Sequence, residues 1–316
     1  MTNVKAKIFI DGSEGTTGLR IHERFQNRDD IQLLTISSEL RKDAAERARL
    51  INESDFTFLC LPDAAAREAV SMIDNDHVRI IDPSTAHRTE PGWAYGFPEL
   101  SPEHRSAIVT GNRVAVPGCH ASGFVSLVYP LVAHGVLSPD APVSSFSLTG
   151  YSGGGKKMIA DYEGENRSVE LDAPREYALS QQHKHLKEMK AICGLNKAPL
   201  FSPVVADYYS GMLVSVPLFG EFLQGIDTPE QLHELLCDHY AGQKFVRVMP
   251  FGAEGGGMLS GNRRSGWDGM EIFVSGNPER MVLSASFDNL GKGASGAAIQ
   301  CLNLMMGCDE AKGLNL

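Results

Sequence analysis

The sequence predicts an α/β protein: a parallel sheet wrapped on both faces by helices, then a strand-rich α+β segment. Three observations carry this prediction. In the first third of the chain, short β-branched or aromatic runs alternate with helix-forming runs, and parallel neighbours need such crossovers. The first of these runs ends in a glycine turn, Gly12, Gly15 and Gly18, that opens into a helical run. Past Cys119 the alternation stops and strands begin to dominate.

Taken in order, "AKIFI" (6–10) is the first strand, and the helix after the glycine turn covers about 17–26. "IQLLTIS" (31–37) is a second strand, and "RKDAAERARLIN" (41–52) is rich in helix formers. "DFTFLCLP" (55–62), "DAAAREAVSMI" (63–73) and "HVRIIDPS" (77–84) read as strand, helix and strand. "RVAVPGCHASGFVSLVYPLV" (113–132) carries a β-branched run into Pro117-Gly118, then Cys119, then a helix that persists despite Pro130. "APVSSFSLTG" (141–150) is a strand, and "YSGGGKKM" (151–158) a glycine-rich loop. Later strands fall at 212–219, 244–251, 270–276 and 280–288, the last two joined by Gly276-Asn277-Pro278, which predicts an antiparallel sheet. A helix over 291–306 closes the chain, and there are no internal repeats.

A formal net charge of -10 over 316 residues argues against nucleic acid as the main partner, since phosphate binding wants a basic face. No apolar run is long enough to cross a bilayer, and "MTNVKAKIFIDG" lacks the apolar core of a signal peptide, so a cytoplasmic protein with no membrane partner is expected. Six cysteines occur without a C-x-x-C pair or zinc-ligand spacing, so no metal site is expected. Five of them read as small hydrophobes.

The glycine turn sits between a strand and a helix inside a βαβ pattern, the context in which glycines let the backbone approach a pyrophosphate at a helix N-terminus. Gly12, Ser13, Gly15, Thr16, Thr17 and Gly18 are the candidate contacts, and the plain alternative is a loop that uses glycine for geometry alone. At the end of the second strand stand Ser37 and Ser38, then Glu39, then Arg41 and Lys42. Hydroxyls and cations there suit a 2′-phosphate, which favours NADP over NAD. The competing reading of Arg41 and Lys42 is a solvated helix face.

A thiol on the corner between a strand and a helix gains from the helix dipole and from nearby backbone N–H groups, which also suit an oxyanion. Beside a dinucleotide fold, Cys119 and a hydride donor interconvert an acyl group and an aldehyde through a thioester. That chemistry needs an acid/base. Seven of the ten histidines sit in surface-like contexts: His22, His77, His87, His104, His134, His233 and His239. His120 adjoins the cysteine but points about 100° away on a helix. "QQHKHLKEM" (181–189) offers His183 and His185, with Glu188 three residues on to orient the latter. A solvated polar helix face is the competing reading.

At this point the chain resembles the N-acetyl-γ-glutamyl-phosphate reductase family, in its shorter, second type. The matching segments run from end to end: "FIDGSEGTTGLRI", "CLPDAAAREAV", "IDPSTAHR", "YGFPEL", "VPGCHASGF", "GYSGGGKKMIADYE", "QHKHLKE" and "NLGKGASGAAIQCLNLM". The resemblance implies reduction of an acyl phosphate by NADPH, with Cys119 as nucleophile and His185, ahead of His183, as acid/base. It implies a discontinuous Rossmann-type NADP-binding domain, residues 1–117 and 286–316. An α+β catalytic domain of the glyceraldehyde-3-phosphate dehydrogenase-like C-terminal kind is inserted at 118–285. Cys60, Leu61, Pro62, Ser84, Asn289, Lys292 and Gly293 join the expected cofactor contacts. Ser122, Ser152, Gly153, Gly154, Lys156 and Lys157 are the expected substrate contacts, with Arg88 and Glu99 as further picks at the domain junction. The expected partners are the acyl-phosphate substrate and inorganic phosphate, in a homodimer or homotetramer.

Two positions depart from the family's usual Asn-Pro-Gly-Cys-Tyr-Pro-Thr: Val116 replaces the amide and His120 the phenol, while Ser122 keeps a hydroxyl. Three rival readings remain at this stage: a semialdehyde dehydrogenase of the aspartyl phosphate type, an NADP-binding redox sensor, and a cysteine hydrolase. The glycine turn argues against the hydrolase, which needs no dinucleotide.

Overall fold

A computed structural model describes residues 5–316, so the first four residues of the expected dinucleotide-binding domain lie outside the described ones. Within it the chain divides into two compact units: one runs to Pro117 and resumes over Ala294–Leu314, and the other comprises Gly118–Gly293 with Asn315–Leu316.

The first unit contains β1 (Ala6–Asp11), α1 (Thr16–Phe25), β2 (Ile31–Leu34), α2 (Ala44–Glu53), β3 (Phe56–Leu59), α3 (Asp63–Ser71), β4 (Arg79–Asp82), β5 (Ala94–Tyr95), α4 (Pro102–Thr110) and β6 (Arg113–Ala115). Its six strands pair in the order β2-β1-β3-β4-β6-β5, every pair parallel. Alternation along β1 builds two cores. Ile8 and Ile10 face a cluster with Ile21 and Phe25 of α1, Ile108 of α4 and the buried side of the last helix. Phe9 faces the other way, toward Leu50 and Ile51 of α2 and Ala66 and Ala69 of α3. This is the doubly wound architecture the alternation predicts. The last helix, Gly296–Met306, buries Ile299, Leu302 and Met305 in the first cluster, each worth about 1.5–3 kcal/mol when taken fully out of water.

The second unit holds α5 (Cys119–Ala133), β7 (Ser144–Gly150), α6 (Gly155–Glu163), β8 (Arg175–Glu176), α7 (His185–Ile192), β9 (Leu200–Ala206), β10 (Met212–Phe219), α8 (Pro229–His239), β11 (Val246–Val248), β12 (Met270–Asn277) and β13 (Arg280–Phe287). The last helix is therefore α9. The seven strands run β11-β12-β13-β10-β7-β9-β8. α5 packs on β10 and β13, and α8 on β12. No helix among the described residues is long and apolar enough to cross a membrane.

Several sequence expectations change. The second sheet is mixed rather than antiparallel, because β9 pairs parallel to β7 and β11 parallel to β12. The return to the first unit comes at Ala294 rather than 286, because β13 stays in register with β10 and β12 up to Phe287. Asp43 caps α2 by accepting from Glu46 N–H, so Arg41 and Lys42 stand in the turn before the helix, not on its face. The glycine-rich stretch after β7 is not an open loop: a 3₁₀ turn, Tyr151–Gly154, leads straight into α6.

Candidate active site

The glycine turn follows β1 directly. A Cβ on Gly12 would sit 2.2 Å from the Cys60 carbonyl oxygen, and one on Gly18 would sit 2.5 Å from the Gly12 oxygen. Nothing larger than glycine closes this turn against the end of β3, and Gly12 also has φ +86°. Gly15 is the N-cap of α1, and no side chain caps that end. With Ser13, Thr16 and Thr17 partly exposed beside it, the turn fits a pyrophosphate. Leu61 and Pro62 follow Cys60, and burial pushes the Cys60 thiol well above its ordinary range, which marks it as inert. Ser37, Ser38, Arg41 and Lys42 are all exposed past β2. Glu14 from the turn pairs with Arg41 and accepts from Ser38 Oγ at 3.3 Å. An incoming phosphate must displace that carboxylate.

At the end of β4, Asp82 is fully buried, and it accepts from both the N–H and the hydroxyl of Ser84 at 2.8 Å. Its second oxygen lies 2.5 Å from His87 Nδ1, and the His87 ring stacks on Trp93 at 4.1 Å. His87 is thus an interior residue, not the surface histidine its context suggested. Arg88 and Glu99 also sit inside the first unit. Arg88 donates to the Val116 and Pro83 carbonyls at 2.9 Å, and Glu99 accepts from Gln300 of α9 at 2.6 Å. These contacts tie the Arg88 side chain to neighbouring backbone and the Glu99 carboxylate to α9.

In the second unit, Cys119 is the first residue of a 15-residue helix whose N-cap is Gly118 in extended backbone. The thiol is partly exposed, whereas positions 120–128 are buried. Gly118 N–H donates to Glu188 Oε1 at 2.9 Å, so the carboxylate expected to orient an imidazole holds the thiol's corner. Glu188 itself is buried on α7. A Cβ on Gly293 would fall 2.9 Å from Cys119 Cβ, so Gly293 forms a wall beside the thiol.

His183 and His185 are brought together rather than splayed apart. α7 begins only at His185, so the 200° separation expected of two residues on one helix does not apply. His183 Nδ1 accepts the His185 N–H at 3.2 Å, and the two rings lie 4.6 Å apart. Both rings meet the ring of His120, at 5.5 and 5.6 Å. His185 and Glu188 are buried, so this stretch is no solvated face.

Ser152 accepts from Asn289 Nδ2 at 3.1 Å, and Asn289 Oδ1 accepts from Gly211 N–H. Asn289 thus stitches the turn after β7 to the start of β10. Lys292 is wholly buried, with its ammonium 5.4 Å from the centre of the Phe245 ring. The side chains of Asn289 and Lys292, expected at the cofactor, are committed to the interior of the second unit. Gly153 and Gly154 are exposed, as are Lys156 and Lys157 in the first turn of α6, where two cations join a helix N-terminus. Ser122 lies one turn past Cys119, buried, with no hydrogen-bond partner for its hydroxyl.

Sequence reasoning missed a cluster of three groups that begins at the residue after the thiol. His120 was set aside on angle, and Tyr177 and Ser147 carried no signal at all. His120 Nδ1 lies 2.6 Å from Ser147 Oγ, and Nε2 lies 2.6 Å from Tyr177 Oη. The His120 departure was the one clue available in the sequence.

With this geometry described, the chain can be set beside known proteins. Residues 6–108 match the semialdehyde dehydrogenase NAD binding domain, and 119–289 match the semialdehyde dehydrogenase dimerisation domain. N-acetyl-gamma-glutamyl-phosphate reductase 2 of Nostoc sp. is 45 % identical, the match covering 98 % of this chain and 99 % of the relative. The reductase of the same name from Chelativorans sp. is 48 % identical over 95 % of this chain and 98 % of its own. Among solved structures, aspartate semialdehyde dehydrogenase from Francisella tularensis superposes with a TM-score of 0.72 at 14 % identity, covering 95 % of this chain and all of that one. The Candida albicans enzyme with NADP gives 0.63 at 15 % identity, over 96 % and 98 % of the two chains. At such identities these two structures speak to the fold alone.

Proposed function

Because the chain belongs to the N-acetyl-gamma-glutamyl-phosphate reductase family, we propose that it reduces N-acetyl-L-glutamyl 5-phosphate with NADPH to N-acetyl-L-glutamate 5-semialdehyde, releasing phosphate, as a step of arginine biosynthesis. One observation carries the reading: a partly exposed thiol is the first residue of a buried helix whose second residue, His120, meets the rings of His183 and His185.

The Cys119 thiolate attacks the acyl carbon, the carbon–oxygen bond to phosphate breaks, and a thioester forms. The first turn of α5 presents its amides to the oxyanion, where hydrogen bonds strengthen as charge develops. Lys156 and Lys157 supply positive charge for the departing phosphate. The glycine turn would hold the NADPH pyrophosphate, and Ser37, Ser38, Arg41 and Lys42 the 2′-phosphate of its adenosine, and the dinucleotide would supply a hydride. His185 gives a proton to the acyl oxygen, then takes it back as the carbon–sulfur bond breaks and the aldehyde leaves. A reaction drawing on reduced nicotinamide suits the cytoplasm.

The dimerisation-domain match supports a homo-oligomer. The sheet face away from α5 and α8 exposes Phe146, Leu200 and Phe219, and we place a second copy there, as a dimer.

The test runs the reaction backward, with N-acetyl-glutamate semialdehyde, phosphate and NADP, following nicotinamide absorbance. Cys119→Ser should keep NADP binding and lose nearly all turnover, since a serine hydroxyl is a weak nucleophile without activation. Turnover within about tenfold of the parent, a barrier change of ~1.4 kcal/mol, would exclude the covalent route. Aspartate semialdehyde in the same assay separates the aspartyl phosphate reading.

A further inference from the structure

The pocket read for the 2′-phosphate already holds an anion of the protein's own. Two successive turns follow β2: Leu40 N–H donates to the Ser37 carbonyl at 3.0 Å, and Asp43 N–H to the Leu40 carbonyl at 2.8 Å. They set Ser38 and Arg41 just ahead of the Asp43 cap of α2. β1 lies beside β2, with Phe9 level with Leu34, so the glycine turn comes out at the same edge of the sheet. That turn closes through Gly15 N–H on the Gly12 carbonyl at 3.0 Å and leaves Glu14 exposed. The Glu14 carboxylate engages both groups across the gap: one oxygen pairs with the Arg41 guanidinium, and the other accepts from Ser38 Oγ at 3.3 Å. A guanidinium and a hydroxyl are the donors a phosphate would use there. The Arg41 and Glu14 side chains are 47 % and 49 % exposed, so water screens the pair and it opens readily. A phosphate monoester brings a charge of about -1.5 to -2 and three acceptor oxygens, so it displaces a single carboxylate, whereas an uncharged ribose hydroxyl does not.

We propose that Glu14 is a tethered competitor for the 2′-phosphate: NADP must displace it from Arg41 and Ser38, and NAD leaves it in place. The inference rests on the reading of Ser37, Ser38, Arg41 and Lys42 as the 2′-phosphate site, and adds to it a specificity-determining residue from the glycine turn. Glu14 lowers the affinity for the phosphorylated dinucleotide and so tempers the preference over NAD. By closing back on Arg41 it also favours release of the spent cofactor. Its effect falls on cofactor exchange and not on the chemical step.

The test is calorimetric binding of NADP and of NAD to the full-length chain, with no substrate present. Glu14→Gln keeps the length of the side chain and removes its charge. It should tighten NADP about two- to fivefold, the range expected of an exposed ion pair, and leave NAD unchanged. Glu39→Gln takes the same charge out of the turn that carries Ser38 and Arg41, as a control for the general field, and should tighten NADP less. Arg41→Ala should weaken NADP about tenfold or more. In that background Glu14→Gln should add no more than Glu39→Gln does. NADP affinity unmoved or lowered by Glu14→Gln overturns the proposal. An equal gain for NAD, an equal gain from Glu39→Gln, or a full gain that survives Arg41→Ala overturns it as well. If Arg41→Ala leaves NADP binding intact, the 2′-phosphate site itself is misplaced and the competitor falls with it. If Arg41→Ala weakens NADP and Glu14→Gln changes nothing, the site stands and the competitor alone is lost. Because the readout needs no substrate, a parent chain inactive in the aldehyde assay would count against the substrate reading only.

Discussion

The proton transfer proposed at Cys119 has two candidate imidazoles, both against the His120 ring, and their backbone positions separate the duties proposed for them. His185 is buried in the first turn of α7, the helix whose Glu188 accepts from the N–H of Gly118, the residue before the thiol. His183 precedes the helix and spends Nδ1 on the His185 N–H, which makes it a cap. His185→Asn should therefore cut turnover by ~10²–10⁴-fold, the usual worth of a general acid/base. Thioester formation should stay visible in a single turnover from the acyl phosphate. His183→Asn keeps a side-chain acceptor and should act mainly on KM. The reverse pattern would hand the proton to His183. Cys119 was legible because Pro-Gly after a β-branched run marks a corner whatever the rest of the chain does. His120 was not, because its partners, Ser147 in β7 and Tyr177 just past β8, lie 27 and 57 residues on, and no local spacing encodes them.

α5 keeps its helix through Pro130 because the damage is repaired. A proline lacks the N–H that would bond the carbonyl four residues back, here that of Ser126. Tyr240, after α8, donates its hydroxyl to that carbonyl at 2.7 Å in the interior. Tyr240→Phe should lower stability by about 1–3 kcal/mol, the cost of a buried acceptor left bare. Urea denaturation measures this, and an unchanged midpoint would mean the carbonyl is satisfied otherwise. The same helix lies close on the sheet at Gly123, where a Cβ would fall 2.4 Å from Val214 Cγ2. Elements with their own punctuation were legible: the glycine turn gave α1, and Gly276-Asn277-Pro278 gave the β12–β13 hairpin. β9 was hidden by Pro203, which reads as a breaker. In the structure the Pro203 carbonyl accepts from Tyr177 N–H, so its missing donor faces β8, which is only two residues long.

The first unit is assembled from two separate stretches of the chain, and Arg28 fastens them. Its guanidinium donates to Asp30, to Asn303 of α9 and to the Lys312 carbonyl. The Arg28 hydrogen bond, outweighing burial and joined by Lys312, holds the Asp30 carboxyl well below its ordinary 3.8. A depressed folded-state pKa contributes stability that is fully present above the unfolded value and is lost progressively as pH falls from there through the folded value. Asp30→Asn should accordingly be less stable than the parent at pH 7, with the gap shrinking steadily as pH falls below about 4 in urea melts. A constant gap would show that the loss is packing, not charge. The doubly wound sheet was legible from strand–helix alternation, and the discontinuity only from family resemblance, because the residues of α9 that bury against β1 and β4 carry no mark of distant partners. One consequence concerns synthesis rather than the finished molecule. On the ribosome, residues 118–293 emerge complete while the sheet made earlier still lacks α9, leaving Ile8, Phe58 and Ile81 uncovered. The nascent chain therefore carries an open apolar face until residues 294–314 are made, and a chain stopped before them yields a finished inner unit tethered to an aggregation-prone sheet.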